Sequence, residues 1–176
     1  MGGSLGAIFS VTYSKDYNQI VSTSDDRSVR IWNCDDAFAY RDYKQDARLS
    51  YSLYRHQARV WNARFCRAGV VSIGEDGLMC VWNNRTGQLL KQVHFKRGSM
   101  RILQIYSDSD KSDAETCLLG CDSGSIFYYP ISCHSAQQRR ILFSNSEKYG
   151  RPTNVMALVD SYIVITHIEV KSFAAL

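Results

Sequence analysis

Apolar and polar residues alternate in short runs along most of the chain, a pattern typical of half-buried β-strands. No segment shows a sustained helical period. Three of the runs carry apolar residues at their first, fourth and sixth positions: Ile8, Val11 and Tyr13; Val60, Ala63 and Phe65; Met100, Leu103 and Ile105. This repetition predicts an all-β chain built from successive copies of one unit, each beginning with such a strand.

Each copy continues with the same elements. A second strand is predicted at residues 19–24, 69–73 and 115–120, and a turn that carries an Asp then leads to a third strand. The third strand ends on Trp32 six residues after Asp26, and on Trp82 six residues after Asp76. In the third copy Asp122 is followed at the same distance by a Tyr, which indicates a degenerate copy of the same Asp-to-Trp motif.

Outer strands at about 49–54, 88–94 and 139–143 complete three units, and the strands at 154–159 and 162–166 begin a fourth. A period of roughly 40–50 residues with four strands is typical of propeller blades. We therefore expect three four-stranded antiparallel blades, at about 6–54, 55–95 and 96–144, and the first half of a fourth at 145–176. Residues 1–176 would form a single partial propeller. Because propellers close with about four to eight blades, we expect that this chain alone does not close the ring.

The second copy resembles a WD repeat in four residues: His56, Ser72, Asp76 and Trp82. In that family these positions form a hydrogen-bonded chain that runs from His to Asp across the top of the blade, then to Ser, and then to the indole N–H. The resemblance implies a structural network here and no catalytic dyad. A buried indole N–H needs an acceptor, which gives the network its physical reason.

The other two copies match the WD pattern less completely. The first keeps Ser22, Asp26 and Trp32 but has Ser4 where the His would stand. The third keeps Asp122, with Leu118 and Tyr128 in place of the Ser and the Trp, so apolar packing is expected to hold that blade.

A narrower resemblance rests on His-Gln-Ala-Arg-Val-Trp at 56–61, followed by Ser-Ile-Gly-Glu-Asp at 72–76. Over roughly residues 6–131 the chain resembles the family of WD repeat-containing protein six. Its members are large multi-propeller subunits that partner an FtsJ-type methyltransferase, which 2′-O-methylates the wobble nucleotide of certain tRNAs. The resemblance implies a non-catalytic regulatory subunit with a methyltransferase as partner and tRNA reached through the complex. The alternative is a general protein-interaction scaffold in signalling or trafficking, and an enzyme is the least favoured class.

The same resemblance implies which side chains reach the top face, the face of the ring that carries the Asp turns. They flank the first apolar position of each inner strand or precede the Asp of each turn. The resulting candidate partner contacts are Arg59, Trp61, Glu75, Phe9, Asp25 and Arg101. In the alternative interpretation Trp61 packs against a neighbouring blade and Arg59 pairs with Glu75.

Composition narrows the function classes further. The hydrophobic fraction of 45% and the charged fraction of 22% fit a soluble globular protein, and a net charge of +4 permits RNA contact without requiring it. A basic cluster (Lys91, His94, Lys96, Arg97, Arg101) and Arg139-Arg140 are weak candidates for phosphate contact, with a solvated blade edge as the alternative. The glycosylation sequon Asn84-Arg85-Thr86 lies in a predicted turn.

No residues suggest a metal, a cofactor or catalysis. The six cysteines form no CxxC pair and have no His spacing suited to zinc, and the sequence has no Gly-rich phosphate loop. The most apolar run, 155–170, contains Asp160, His167 and Glu169, which argues against membrane insertion. No signal peptide opens the sequence, so a cytoplasmic location is the expectation.

Overall fold

The computed structural model describes residues 6–34, 47–96, 98–107, 115–132, 140–144, 152–159 and 162–167, with side chains as far as residue 132. Every regular element in these segments is a β-strand. The predicted all-β class is therefore confirmed. The predictions for Ser4, Arg97 and Arg139 fall outside the described residues.

Fourteen strands form four antiparallel sheets in strict chain order. Blade 1 contains β1 (Ile8–Ser14), β2 (Gln19–Ser24), β3 (Ser28–Asn33) and β4 (Arg48–Tyr54). Blade 2 contains β5 (Val60–Cys66), β6 (Gly69–Gly74), β7 (Leu78–Trp82) and β8 (Leu89–His94). Blade 3 contains β9 (Met100–Ser107), β10 (Glu115–Cys121), β11 (Ser125–Pro130) and β12 (Arg140–Ser144). The two remaining strands, β13 (Pro152–Val159) and β14 (Tyr162–His167), pair as a hairpin.

Tight turns join the second and third strands of each blade, and all three contain a residue in the left-handed region. Gly77 has φ 70° and Gly124 has φ 81°, as expected where a side chain would be strained. In blade 1 the corresponding residue is Arg27, whose φ of 68° is unusual for a residue with a Cβ. The turn geometry is thus the same in all three blades although one of them lacks the glycine.

The apolar core lies between neighbouring blades. Val21, Val29 and Ile31 of blade 1 pack in one cluster with Val60 and Ala63 of blade 2, and all five are fully buried. A second cluster joins blade 2 to blade 3 and contains Ile73, Met79, Phe95, Met100, Leu103 and Phe127. Each such side chain contributes about 1.5–3 kcal/mol when it is buried, so blade-to-blade packing holds the molecule together.

The inner strands lie side by side, with β5 between β1 and β9, and β13 packs against β9. This order places the fourth sheet beside blade 3 and away from blade 1. In the described part of the chain no extensive packing joins β13 or β14 to β1. The ring is therefore not closed by these elements, as predicted.

Blade 1 consequently presents an open apolar face. Ile8 is 53% exposed and Val11 is 62% exposed, whereas the equivalent Val60 and Ala63 of blade 2 are 0% exposed. The difference follows from position, because blade 1 covers the equivalent face of blade 2 while no described element covers that of blade 1.

Candidate functional site

The inner strand of each described blade contains a β-bulge at the same place. The pairing of β1 skips Phe9, that of β5 skips Trp61 and that of β9 skips Arg101. A bulge leaves one residue out of the ladder and re-aims its side chain. It also explains why apolar positions recur at the first, fourth and sixth residues, since an unbroken strand would give the first, third and fifth.

The three bulged residues form a continuous row across the blades, which we call the bulge row (Phe9, Trp61, Arg101). The ring centroids of Phe9 and Trp61 are 4.5 Å apart at an interplanar angle of 45°. On the other side of Trp61, Cζ of Arg101 lies 4.4 Å from the ring centroid. Three of the six candidate contact residues are thus in direct contact with one another.

Three other candidate residues form an exposed ion-pair group beside the row. Nε of Arg59 lies 2.6 Å from Oδ1 of Asp25 and 4.0 Å from Oε2 of Glu75. The hydrogen bond and the charge of Asp25, with a smaller effect of Glu75, raise the pKa of Arg59. The main partner of Arg59 is therefore Asp25 on the neighbouring blade, and the expected pairing with Glu75 is at the limit of ion-pair distance.

The structure brings together the four network residues of blade 2. Nδ1 of His56 lies 3.1 Å from Oδ1 of Asp76, and Nε2 of His56 lies 2.9 Å from Oγ of Ser72. Nε1 of Trp82 donates to the same Oγ at 2.9 Å. The indole of Trp82 donates to Ser72, and the two ring nitrogens of His56 join Ser72 to Asp76, so that His56 lies between Asp76 and Ser72 in the network.

Asp76 also organises the backbone around it. Its carboxylate accepts the N–H of Gln57 at 2.8 Å and the N–H of Leu78 at 3.0 Å. Burial alone would raise the pKa of Asp76, but the hydrogen bond and charge of His56 and the two backbone N–H groups outweigh it and lower the pKa. The side chain of His56 is completely buried and that of Ser72 is buried as well. Neither group can touch a substrate in this arrangement.

Blade 1 holds its Asp in a way that the sequence analysis missed. Oδ2 of Asp26 lies 2.9 Å from Nη1 of Arg30, an ion pair that is almost entirely buried. Arg30 lies in β3 between the apolar Val29 and Ile31, where blade 2 has Cys80. A charged residue at this position of the strand is the sequence signal for a buried partner. Nε1 of Trp32 still donates to Oγ of Ser22 at 3.0 Å. Arg30 is therefore the side-chain partner of Asp26 in blade 1, as His56 is the side-chain partner of Asp76 in blade 2.

Blade 3 is aligned one residue differently from the expectation. In every blade the N–H of one turn residue donates to the backbone oxygen just before the inner strand. The donors and acceptors are Asp25 and Ala7 at 2.9 Å, Glu75 and Arg59 at 2.8 Å, and Asp122 and Ser99 at 3.0 Å. Asp122 thus occupies the place of Asp25 and Glu75, and the prediction that it matches Asp26 and Asp76 is wrong.

The shift carries through the blade. Ser123 takes the place of Asp76, and its hydroxyl lies 3.3 Å from Oγ of Ser125. Leu119 and Tyr129, both 0% exposed, take the places of the Ser and the Trp in preference to Leu118 and Tyr128. The sequence comparison aligns blade 3 with the other blades through Asp122, the acid of its turn. In the structure the equivalent positions are set by the fully buried ring of Tyr129. Apolar packing nevertheless fills this blade, as Leu119, Phe127 and Tyr129 show.

The other sequence candidates have mostly internal roles. Nζ of Lys91 donates to the backbone oxygen of Ile131 at 2.8 Å and lies 4.8 Å from the ring of Tyr129, so it joins blades 2 and 3. Asn84, the Asn of the sequon, is buried and donates to Oε1 of Gln19 at 2.8 Å. This pair joins blades 1 and 2 and does not leave Asn84 accessible to modification.

The described cysteines are all buried and unpaired by disulfides. Burial raises the pKa of the Cys66 thiol to about 11 and that of the Cys80 thiol to about 12, which keeps both protonated. Within the described segments no three His, Cys, Asp or Glu side chains are grouped so that they could hold a metal ion. The same segments contain no helix suited to crossing a membrane.

A protein-family model matches the first of the repeated units. The family described as "WD domain, G-beta repeat" matches residues 2–33, which include the first inner strand and the motif from Asp26 to Trp32. The chain carries a WD repeat. This match confirms the resemblance drawn from the sequence for blade 1, and the shared strand order extends the same architecture to blades 2 and 3.

Curated relatives of this WD-repeat chain include a protein named tRNA (34-2'-O)-methyltransferase regulator WDR6 in Mus musculus and Homo sapiens. Each is 31% identical over 98 residues, which is 56% of this chain and 8% of the relative. The chain therefore spans a small part of the length of the relatives it matches.

Solved structures confirm the fold. The WD-repeat chain is similar to the WD40 beta propeller domain of Doa1, with a TM-score of 0.68 at 12% identity, covering 93% of this chain and 48% of that one. It is also similar to the computationally designed Ika4 protein, with a TM-score of 0.71 at 21% identity, covering 99% of this chain and 92% of that one.

Proposed function

We propose that this WD-repeat chain is a non-catalytic scaffold that acts as a regulatory partner in 2′-O-methylation of the wobble nucleotide of tRNA. The observation that carries the proposal is the similarity to the regulator WDR6, at 31% identity over 98 residues. The proposed partner is an FtsJ-type methyltransferase, which would supply the cofactor and the catalysis in the cytoplasm. Residues 1–176 would contribute part of a propeller to that complex.

The geometry supports a role without chemistry. The one grouping of His, Ser and Asp in the described residues, in blade 2, is buried and its hydrogen bonds are used among its own members. A satisfied polar network of this kind fixes the geometry of its blade. We therefore assign His56, Ser72, Asp76 and Trp82 a structural role, and Ser22, Asp26 and Trp32 the same role in blade 1.

The proposed partner surface is the top face around the bulge row. Phe9 is 38% exposed, and the ion-pair group Arg59, Asp25 and Glu75 is half-exposed beside it. Aromatic and Arg side chains are the residue types that most often anchor protein interfaces. Because the row crosses three blades, a partner that docks there would contact all of them at once.

A pull-down tests the proposal. The tagged chain is incubated with cytoplasmic extract, and bound proteins are identified by mass spectrometry. We expect an FtsJ-type methyltransferase to be enriched, and we expect Trp61→Ala to reduce its recovery. Arg48→Ala, an exposed change on the outer strand β4, is the matched control and should leave recovery unchanged.

A second readout measures function directly. Adding the chain to the purified methyltransferase should raise 2′-O-methylation at nucleotide 34 of a tRNA substrate. Recovery of adaptor or trafficking proteins without a methyltransferase would contradict the proposal and favour a general interaction scaffold. Turnover of a substrate by the isolated chain would contradict the non-catalytic assignment.

A further inference from the structure

We propose that the Arg101 end of the bulge row binds a carboxylate side chain of the partner protein. The inference rests on the proposed function only in taking the top face as the contact surface. It adds the chemical class of the group that is recognised, which none of the similarities specify.

Arg101 is held in place but carries no counter-charge. Its guanidinium lies 4.4 Å from the centre of the Trp61 ring, and no hydrogen bond or ion pair reaches it from the part of the chain that the structure describes. A cation–π contact uses none of the N–H donors of the guanidinium. These donors are suited to a carboxylate, which an Arg can bind through two parallel hydrogen bonds.

The neighbouring carboxylates of the chain have other partners. Asp25 is 2.6 Å from Arg59, and Glu75 approaches the same guanidinium at 4.0 Å. Oδ1 of Asp122 accepts the N–H of Ser99 at 3.2 Å and lies 3.5 Å from the thiol of Cys121. Among the described residues the two arginines of the face therefore differ, since Arg59 has a carboxylate partner and Arg101 has none.

Two more polar groups beside Arg101 lack partners. The indole Nε1 of Trp61 and the hydroxyl of Ser99 are buried, and within the described residues neither has a hydrogen-bond partner. Trp61 is the stacking platform of Arg101, and Ser99 precedes Arg101 by two positions at the start of β9. Buried polar groups without partners cost free energy. Within the described residues, this end of the row thus contains hydrogen-bond donors without acceptors, which favours an anionic ligand over a cationic one.

The surrounding charges favour a protein carboxylate over a nucleic acid. Asp25 and Glu75 lie on the same face and are half-exposed, so a polyphosphate backbone that followed the row would approach both carboxylates. A single acidic side chain meets Arg101 without that repulsion. Phe9, at the other end of the row, is exposed enough to pack against an apolar neighbour of that acid. The expected ligand is a short segment with one Asp or Glu near an apolar side chain.

NMR titration of the full chain labelled with ¹⁵N tests the inference, with the indole N–H signal of Trp61 assigned by its loss in Trp61→Phe. The probe is a synthetic Gly-Ser peptide with one Glu and one Leu, and the control peptide has Gln for Glu. We expect the Glu peptide to shift the Trp61 signal and the Gln peptide not to do so. We expect Arg101→Gln to weaken binding of the Glu peptide about tenfold, the scale of one charge-assisted contact.

Arg48→Gln is the matched control, because Arg48 is an exposed Arg on the outer strand β4, outside the proposed partner surface, and it should leave the affinity within about twofold of the wild type. Dispersed amide spectra verify that both variants are folded. Equal shifts with the two peptides, or unchanged affinity in Arg101→Gln, would overturn the inference. Tighter binding of a single-stranded ribo-oligonucleotide at Arg101 would also overturn it. If Arg101→Gln still recovers the methyltransferase in full, the proposed function stands and this inference fails.

Discussion

Replacing Ser72 by Ala should destabilise the chain, because Ser72 is shared by two hydrogen bonds of the blade 2 network. The Ser72 hydroxyl lies 2.9 Å from Nε1 of Trp82 and 2.9 Å from Nε2 of His56. All three residues are buried. The substitution removes a shared partner and leaves a buried indole N–H and a buried imidazole nitrogen without hydrogen bonds.

The magnitude follows from those two groups. A buried polar group that loses its partner costs about 1–3 kcal/mol, so Ser72→Ala, which affects two such groups, should lower the free energy of unfolding by about 2–6 kcal/mol. Blade 1 offers a matched control, because the Ser22 hydroxyl serves the indole of Trp32 alone, at 3.0 Å, and Trp32 is only half-buried. Ser22→Ala should therefore cost about 0.5–1.5 kcal/mol.

Urea unfolding at neutral pH, followed by far-ultraviolet circular dichroism, measures both values. The double variant Ser72→Ala/Trp82→Phe isolates the hydrogen bond between these two residues. Phe has no indole N–H, so in this background Ser72→Ala leaves no indole donor without an acceptor. We expect the change at Ser72 to cost less in the Trp82→Phe background, by about 1–2 kcal/mol. If the double variant loses the sum of the unfolding free energies that the two single variants lose, the Ser72 hydroxyl and the Trp82 indole do not interact.

Equal destabilisation by Ser72→Ala and Ser22→Ala would refute the reasoning. It would mean that the link from Ser72 to His56 contributes nothing to stability, and that the four residues are neighbours without forming a network.

Two further predictions concern the turns of blades 1 and 2. The pKa of Asp76 is lowered from 3.8 in the folded state, so its stabilisation is present above about pH 4 and is lost as pH falls through the folded pKa. Asp76→Asn should thus be less stable than the wild type at pH 7, with the gap narrowing by pH 3 in urea titrations, and a constant gap would contradict this account. Arg27→Gly should raise the unfolding free energy by about 0.5–1 kcal/mol, because Arg27 has φ 68°. Gly77→Ala is its counterpart and should lower the melting temperature, because a Cβ there would lie 2.8 Å from the backbone oxygen of Phe95; a thermal melt that ranks the two variants in the opposite order would exclude turn strain as the cause.

The strand order was predictable because alternation and turn residues act locally. Each inner strand, turn and outer strand carries its own pattern, so three meanders could be read from the sequence without knowledge of what packs against them. The bulges were also encoded, since the spacing from Ile8 to Val11 and from Val60 to Ala63 contains one residue too many for a regular strand. That irregularity is a direct sequence signal for Phe9 and Trp61 as re-aimed side chains.

Long-range relations were less accessible from sequence. The register of blade 3 depends on burial of Tyr129 against Phe95 at 5.8 Å, and no pattern within 122–129 distinguishes Tyr128 from Tyr129 as the buried ring. Gln19 as the partner of Asn84 likewise depends on tertiary proximity, because the two residues lie 65 positions apart in the sequence. An amide pair of this kind connects residues whose sequence neighbours give no hint of the contact.

The bulge at the start of each inner strand has a consequence for how such a molecule can change. The bulged residues take no part in the pairing of their strands, and their side chains lie outside the two apolar clusters between the blades. Phe9, Trp61 and Arg101 occupy equivalent bulge positions, and three very different side chains are thus found at the same point of the inner strand. Substitutions at these points are therefore open to selection for a new partner at little cost to folding, and a library randomised at the three positions should return folded variants with altered binding preferences.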